Sequence, residues 1–277
     1  MNLGISSLAF IVEFGSTKKY ESLGDLLLDA TDECFKFAED YDIKTVEIVL
    51  DPPVIFSDGD RAKLLELTNS FPKIKTQVHG PFLDLCLCSH NSFISKATIE
   101  TYIETAKFCK DIRADILTIH PGLANFLVNS IREFNKVQLI ESVKILLDAV
   151  KNLNLSICME NMPKKVNIIT NENEIDQFYS DLNREDIFLT WDTSHSWTCD
   201  IKLDNFWDKF HKIIKNIHLV DNNNKETDTH PKIGSGSIDF EEIFSFIQKY
   251  KYTGPLIVEL SYAKDLPLSL EYISRFI

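Results

Sequence analysis

Eight times along the chain, a short apolar run gives way to a longer stretch whose apolar residues recur at helical spacing. The runs are Leu3–Ser6, Lys44–Leu50, Ile74–Val78, Asp115–Ile119, Leu155–Met159, Ile187–Trp191, Asn216–Leu219 and Leu256–Val258. The intervening stretches Leu23–Tyr41, Asp58–Phe71, Phe93–Ile112, Arg132–Leu153, Glu172–Leu182, Asp204–Lys212, Asp239–Tyr250 and Leu266–Phe276 read as helices, with Ser92 capping the third. Runs of continuous rather than alternating apolar character suit strands buried on both faces, as parallel strands covered by helices are. Eight strand–helix units in 277 residues predict an α/β fold, a (β/α)8 barrel, as a single domain over residues 1–277. A doubly wound open sheet is the alternative arrangement of the same alternation. No linker, low-complexity segment or shift in composition divides the chain.

Composition narrows the function classes. A net charge of −13 disfavours a bulk electrostatic grip on nucleic acid, although cations bound in an acidic cleft would reverse the sign locally. No apolar stretch reaches the 18 or so residues that a transmembrane helix needs. The first residues, MNLGISSLAFIVEFGS, lack a basic leader region and a small-residue cleavage site, so a cytoplasmic location is expected. Cys34, Cys86, Cys88, Cys109, Cys158 and Cys199 show no CxxC spacing and mostly sit in apolar segments, which suits reduced thiols.

The chemistry lies at the ends of the strands. The sixth run, IFLTW, ends on Asp192, and His195 follows three residues later. A carboxylate and an imidazole released together from a strand tip form a typical pair of divalent-metal ligands. The same event recurs with His79, His120, Glu160, His218 and Glu259, while Asp228 and His230 sit in the long polar loop after the seventh strand. In a barrel these ends converge on one face. Each residue also has a plain structural use: His79 and His120 in turns, Asp192 and Glu160 as caps, His218 as a hydrogen-bonded core residue. Together, four acidic side chains brought into one buried place call for cations. Nitrogen and oxygen donors without cysteine suit Zn2+, with Mn2+ or Co2+ for a harder site, and the number of donors suits two or three ions. His90 and His211 fall outside this pattern and read as surface residues.

The ordered set VHGPF, IHPG, MENMP, WDTSH, IHLVD, DTHPKIGSGSIDF and IVELS resembles the endonuclease IV and xylose isomerase-like TIM barrel superfamily, the second family of AP endonucleases. The resemblance runs from about Gln77 to Ser261. It implies that His79 and His120 hold one ion, that Glu160 bridges to a second completed by Asp192, His218 and Glu259, and that His195, Asp228 and His230 hold a third.

Two activities are implied. A trinuclear zinc enzyme of endonuclease IV type hydrolyses a phosphodiester at abasic sites in DNA, with Glu160, Asp192 and Glu259 as catalytic carboxylates. Phe82 and Leu83 then match the place of residues that wedge into the duplex, although Phe82 also suits a cover for the barrel rim. The alternative is a one-metal isomerase or epimerase of a small sugar or sugar phosphate, in which Glu160 and Glu259 move protons at adjacent carbons. The full set of nine donors favours the hydrolase. The loops LDPPVIF and NMPKKVNIIT, which replace an Arg-containing loop and a Gly-rich one, favour something else. A metal-binding barrel without catalysis is the third reading.

Overall fold

Leu3 of β1 (Asn2–Ser6) pairs with Leu256 of β8 (Pro255–Val258), and this pairing closes a ring of eight parallel strands. The structure, a computed structural model, describes residues 1–125 and 127–277. The other strands are β2 (Thr45–Val49), β3 (Lys75–His79), β4 (Ile116–Ile119), β5 (Ser156–Glu160), β6 (Ile187–Asp192) and β7 (Ile214–Leu219), each bonded to its neighbours in chain order. The fold is the (β/α)8 barrel, and closure rules out the open sheet.

Around the barrel run α1 (Leu8–Thr17), α2 (Leu23–Asp40), α3 (Asp58–Ser70), α4 (Ser92–Asp111), α5 (Asn129–Val150), α6 (Glu172–Leu182), α7 (Thr193–Thr198), α8 (Leu203–Phe210), α9 (Phe240–Lys249) and α10 (Leu266–Ile273). Two of these, α1 and α7, were not expected. LAFIVEFGST is apolar on nearly every side and TSHSWT is short, polar and β-branched, so neither displays a helical period. The cap of α4 is Asn91, whose Oδ1 accepts the Phe93 N–H at 3.0 Å, so Ser92 is the first helical residue rather than the cap. Helix α5 lies about one turn N-terminal of its expected place, because Asn125 and Val128 begin the turn before Arg132.

Strand register sets the height of every side chain at the mouth. Val49 stands opposite His79, Glu160 opposite Thr190, and Asp192 opposite His218. The strand ends therefore form one rim, at the C-terminal face. The outer strand faces pack against the helices. Trp191, fully buried, meets Trp207 edge-on at 5.2 Å and Phe206 at 5.6 Å. Replacing it with Ala would cost about 3–5 kcal/mol. Its indole N–H also donates to Ser196 Oγ at 2.7 Å, which ties the apolar core to α7.

The barrel interior departs from the apolar filling that the strand runs suggest. Glu47, Gln77, Thr118, Thr190 and Asn216 are all buried beneath the mouth. Gln77 Nε2 and Asn216 Nδ2 donate to Glu47 Oε2 at 2.7 and 3.0 Å, and Thr118 and Thr190 share a 2.8 Å hydrogen bond. The polar rim thus rests on a hydrogen-bonded polar floor.

Candidate metal centre

All nine residues singled out at the strand ends and in the loops beyond them meet in one place, and Glu160 is at its centre. Its Oε2 lies 2.7 Å from His120 Nε2 and 3.6 Å from His79 Nε2. Its Oε1 lies 3.2 Å from His218 Nδ1 and 3.4 Å from His195 Nδ1. One carboxylate therefore faces two groups of imidazoles with its two oxygens. Glu259 Oε2 is 3.6 Å from His218 Nδ1, and Glu259 Oε1 is 3.3 Å from His230 Nδ1. Asp228 Oδ2 accepts from His195 Nε2 at 2.9 Å and from His230 Nε2 at 2.7 Å.

Each imidazole is aimed by its neighbours. His79 Nδ1 lies 2.9 Å from the Gly80 carbonyl, and His195 Nδ1 lies 2.8 Å from the Asn161 carbonyl. A carbonyl only accepts, so these nitrogens carry hydrogen, which leaves His79 Nε2 facing Glu160 and His195 Nε2 facing Asp228. Such outer partners fix the ring and its tautomer. Helix α7 presents His195 because Asp192 caps it, with Oδ1 accepting the His195 N–H at 2.7 Å. Asn161 adds a second clamp, donating to the Asp192 carbonyl at 3.1 Å and accepting from the Asp192 N–H at 2.8 Å. The loop carrying Asp228 and His230 is pinned by buried Asp221, which accepts the N–H groups of Gly234 (2.9 Å), Gly236 (2.8 Å) and Ile238 (3.4 Å). His230 sits in the left-handed region at φ +42°, a strain that surrounding structure has to hold in place.

Ligand-type atoms lie within 4.8 Å of one another in three groups: His79, His120 and Glu160; Glu160, Asp192 and His195; and Glu47, His218 and Glu259. The partition differs from the one the resemblance implied, since Asp192 stands with His195 and since Glu47 joins His218. Four buried polar atoms in or beside these groups have no hydrogen-bond partner: Glu47 Oε1, Asp192 Oδ2, His230 Nδ1 and Glu259 Oε2. Each such atom costs about 1–3 kcal/mol when left unpaired. The donor set and these bare atoms fit divalent cations.

Electrostatics points the same way. Burial works against the charge of Glu160, yet the His218 and His120 rings hold its carboxyl well below the usual range. Asp228 is likewise held low, burial being outweighed by His195 and His230. Burial pushes Asp192 up to about 7, with His195 only partly countering it. Burial also disfavours charge on His79 and His230, but Glu160 and Asp228 respectively raise them to about 9. His120 is held low by burial in spite of Glu160. In the metal-free centre the low carboxyls of Glu160 and Asp228 are balanced by the raised imidazoles of His79, His195, His218 and His230, a balance that bound cations would take over.

The flanking residues divide. Phe82 is half-buried and packs its ring at 5.3 Å from His79 and 5.6 Å from His120, as a cover for the rim would. Leu83, beside it, is 59% exposed. Phe82 also lines a cavity of about 420 Å³ that opens beside His120 and is walled by Ile94, Leu123, Met162 and Val166. In the loop after β2, Val54 and Ile55 are buried, and in the loop after β5, Met162, Ile168 and Ile169 are buried. Both loops fold inward, leaving Phe56, Lys164 and Lys165 exposed. His90 is exposed as expected, whereas His211 is half-buried, with Nδ1 2.8 Å from the Trp207 carbonyl and its ring 4.7 Å from Tyr250. The six cysteines are free, and Cys86 and Cys88 lie 3.5 Å apart at their sulfurs. Sequence reasoning missed Glu47, for which the signal was a lone carboxylate inside the apolar run KTVEIVL.

The class that the fold and the site define is a closed parallel barrel whose C-terminal rim gathers buried imidazoles and carboxylates able to hold metal. The chain belongs to the xylose isomerase-like TIM barrel family, whose model matches residues 35–275. It is similar to an uncharacterized protein of Methanocaldococcus jannaschii, 27% identical over 286 residues that cover 100% of this chain and 89% of that one. It is also similar to the "probable endonuclease 4" of Mesomycoplasma hyopneumoniae strain J, 30% identical over 204 residues covering 69% and 71% of the two chains. Among solved structures, a D-tagatose 3-epimerase-like protein superposes with a TM-score of 0.82 at 22% identity, covering 100% of this chain and 97% of the other, a likeness of fold. Relatives by sequence thus include proteins named probable endonuclease 4, and solved structures that share the fold include sugar epimerases. No helix among the described residues is long and apolar enough to cross a membrane.

Proposed function

We propose that the protein is a metal-dependent phosphodiester hydrolase of endonuclease IV type, acting on DNA at abasic sites with two or three Zn2+ ions. The observation that carries this reading is Asp228, whose Oδ2 meets His195 at 2.9 Å and His230 at 2.7 Å beside the other donors, where a one-metal enzyme has no need of them. His79, His120 and Glu160 would hold the first ion; Glu160, Asp192, His218 and Glu259 the second; His195, Asp228 and His230 the third. Bound divalent ions supply polarised phosphate oxygens, a hydroxide near neutral pH and charge to stabilise the leaving alkoxide. The protein's part is placement. Glu160 orients His120 and His218 from opposite sides, and Asp192 Oδ2 and Glu259 Oε2 are the bare carboxylate oxygens turned to the centre. Phe82 shields His79 and His120 from water on one side, and Leu83 stands exposed at the rim, where a duplex would meet it. The unpaired cysteines support a reducing, cytoplasmic setting.

A second reading, a sugar or sugar-phosphate isomerase or epimerase, is favoured by two observations. The loops after β2 and β5 fold inward rather than reaching out to a duplex, and the cavity beside His120 is of a size for a small molecule. In that case Glu160 and Glu259 move protons at adjacent carbons. Incubation of the purified protein with an abasic-site duplex, with and without chelator, tests the first reading. Nicking that chelator abolishes is the expected result. Absence of nicking, with conversion of a ketose, would transfer the function to the second.

A further inference from the structure

Glu47 is fully buried in the middle of β2, below the rim, and lies outside the nine donors. Its Oε1 and Oε2 lie 3.1 and 3.2 Å from His218 Nε2. On the opposite edge of the same ring, Nδ1 faces Glu160 Oε1 at 3.2 Å and Glu259 Oε2 at 3.6 Å. A neutral imidazole carries hydrogen on one nitrogen only, and the partner of that nitrogen decides which atom offers its lone pair.

We propose that Glu47 is a positioning residue of the metal centre. It takes the Nε2–H of His218 in a hydrogen bond and so commits Nδ1 to the ion held with Glu160 and Glu259. The inference rests on the metal-centred function proposed above and assigns the His218 side of that centre its outer carboxylate. Glu47 is itself held still, since Gln77 Nε2 and Asn216 Nδ2 donate to its Oε2 at 2.7 and 3.0 Å. Gln77 also donates to Asn216 Oδ1 at 3.0 Å, and the two hydrogens of Asn216 Nδ2 go to Glu47 Oε2 and to Thr118 Oγ1 at 3.4 Å, which leaves none for His218 Nε2, 3.0 Å away. The His218 hydrogen bond falls to the same Oε2, its third, while Oε1, 3.1 Å from the ring nitrogen, has no hydrogen-bond partner among the described residues. A residue whose sole task was to fill the polar floor could be glutamine, which matches glutamate in shape. Negative charge beside the ring is what glutamine lacks, and charge at this place raises the basicity of the ligating nitrogen.

The test compares wild type with Glu47→Gln in Zn2+ titrations against a competing chelator and in the visible absorption of the Co2+-loaded proteins. Expected for Glu47→Gln are an affinity about 10–100-fold lower for one ion, a changed Co2+ spectrum, and a Tm of the metal-free protein that is not lowered. Affinity and spectrum indistinguishable from wild type would overturn the proposal. Should the variant fail to fold, long-range 1H–15N spectra of Zn2+-loaded wild type decide instead. Hydrogen on Nε2 of His218 supports the assignment, and hydrogen on Nδ1 overturns it. A wild type that binds no ion would instead sink the metal-centred function itself, a result distinct from either.

Discussion

Asp192 gives one oxygen to His195 and keeps the other bare. Its Oδ1 accepts the His195 N–H at 2.7 Å as the cap of α7, while its buried Oδ2 has no partner. The structural use of this aspartate and its use as a ligand are both present in one side chain. Asn caps a helix about as well as Asp, and Ala does not. For Asp192→Asn we expect metal affinity to fall at least about tenfold, with the metal-free protein no less stable, because burial already pushes this carboxyl up to about 7. Asp192→Ala should lose the ion and about 1 kcal/mol of stability besides. Chelator titrations and thermal melts of the metal-free proteins check both halves.

His195 and His230 separate the two activities. Either residue replaced by Ala leaves Asp228 with one imidazole instead of two. Bound metal, counted by elemental analysis, should fall by one ion per chain. Abasic-site cleavage should fall by about two orders of magnitude or more. A one-metal proton transfer would persist in both variants, and its persistence would favour the isomerase.

Asp51, which is not one of the nine donors, gives a pH signature of its own. It is 6% exposed at the end of β2, and burial pushes its carboxyl from 3.8 up to about 6, with His79 only partly opposing. The folded state therefore holds a proton more tightly than the unfolded one. Its contribution to stability is complete below pH 3.8 and is lost as pH rises through about 6. Melts of the metal-free protein should show Asp51→Asn gaining on wild type across that interval and keeping its lead at neutral pH. A constant difference between the two across the interval would refute the assignment.

Leu83 and Phe82 should behave differently although they are adjacent. Leu83 is exposed, so Leu83→Ala should change stability by less than about 0.5 kcal/mol. If it meets a duplex, the variant should bind abasic DNA more weakly while holding its ions as before. Phe82→Ala removes the ring that packs on His79 and His120, and metal affinity at that pair should drop as well. Fluorescence anisotropy with a labelled duplex, beside metal titrations, distinguishes the two.

Most of the rim could be read from the chain because a polar ligand residue at the end of an apolar run is a local event. His79, Glu160, Asp192 and His218 all lie on strands that the apolar pattern located. Glu47 was hidden by the same logic. A single carboxylate inside a strand looks like a residue turned to solvent, and only closure of the barrel turns it to the axis beneath His218. Helix α7 was hidden by composition: TSHSWT has no apolar period, and its formation depends on the Asp192 cap and on Ser196, which meets both Trp191 and Asn161. The inward fold of LDPPVIF and NMPKKVNIIT, with Val54, Ile55, Ile168 and Ile169 buried, is a tertiary outcome that loop sequence does not encode by itself.

The anchoring of the loop after β7 on Asp221 has an evolutionary side. A β-carbon at Gly236 would stand 2.2 Å from Asp221 Oδ1, so any side chain there displaces the carboxylate that holds the loop. A lineage could thus lose the placement of Asp228 and His230 through one substitution at a glycine, while His195, Asp228 and His230 persist as relics. Counting inherited ligand residues would then overstate how many metals a given descendant still uses.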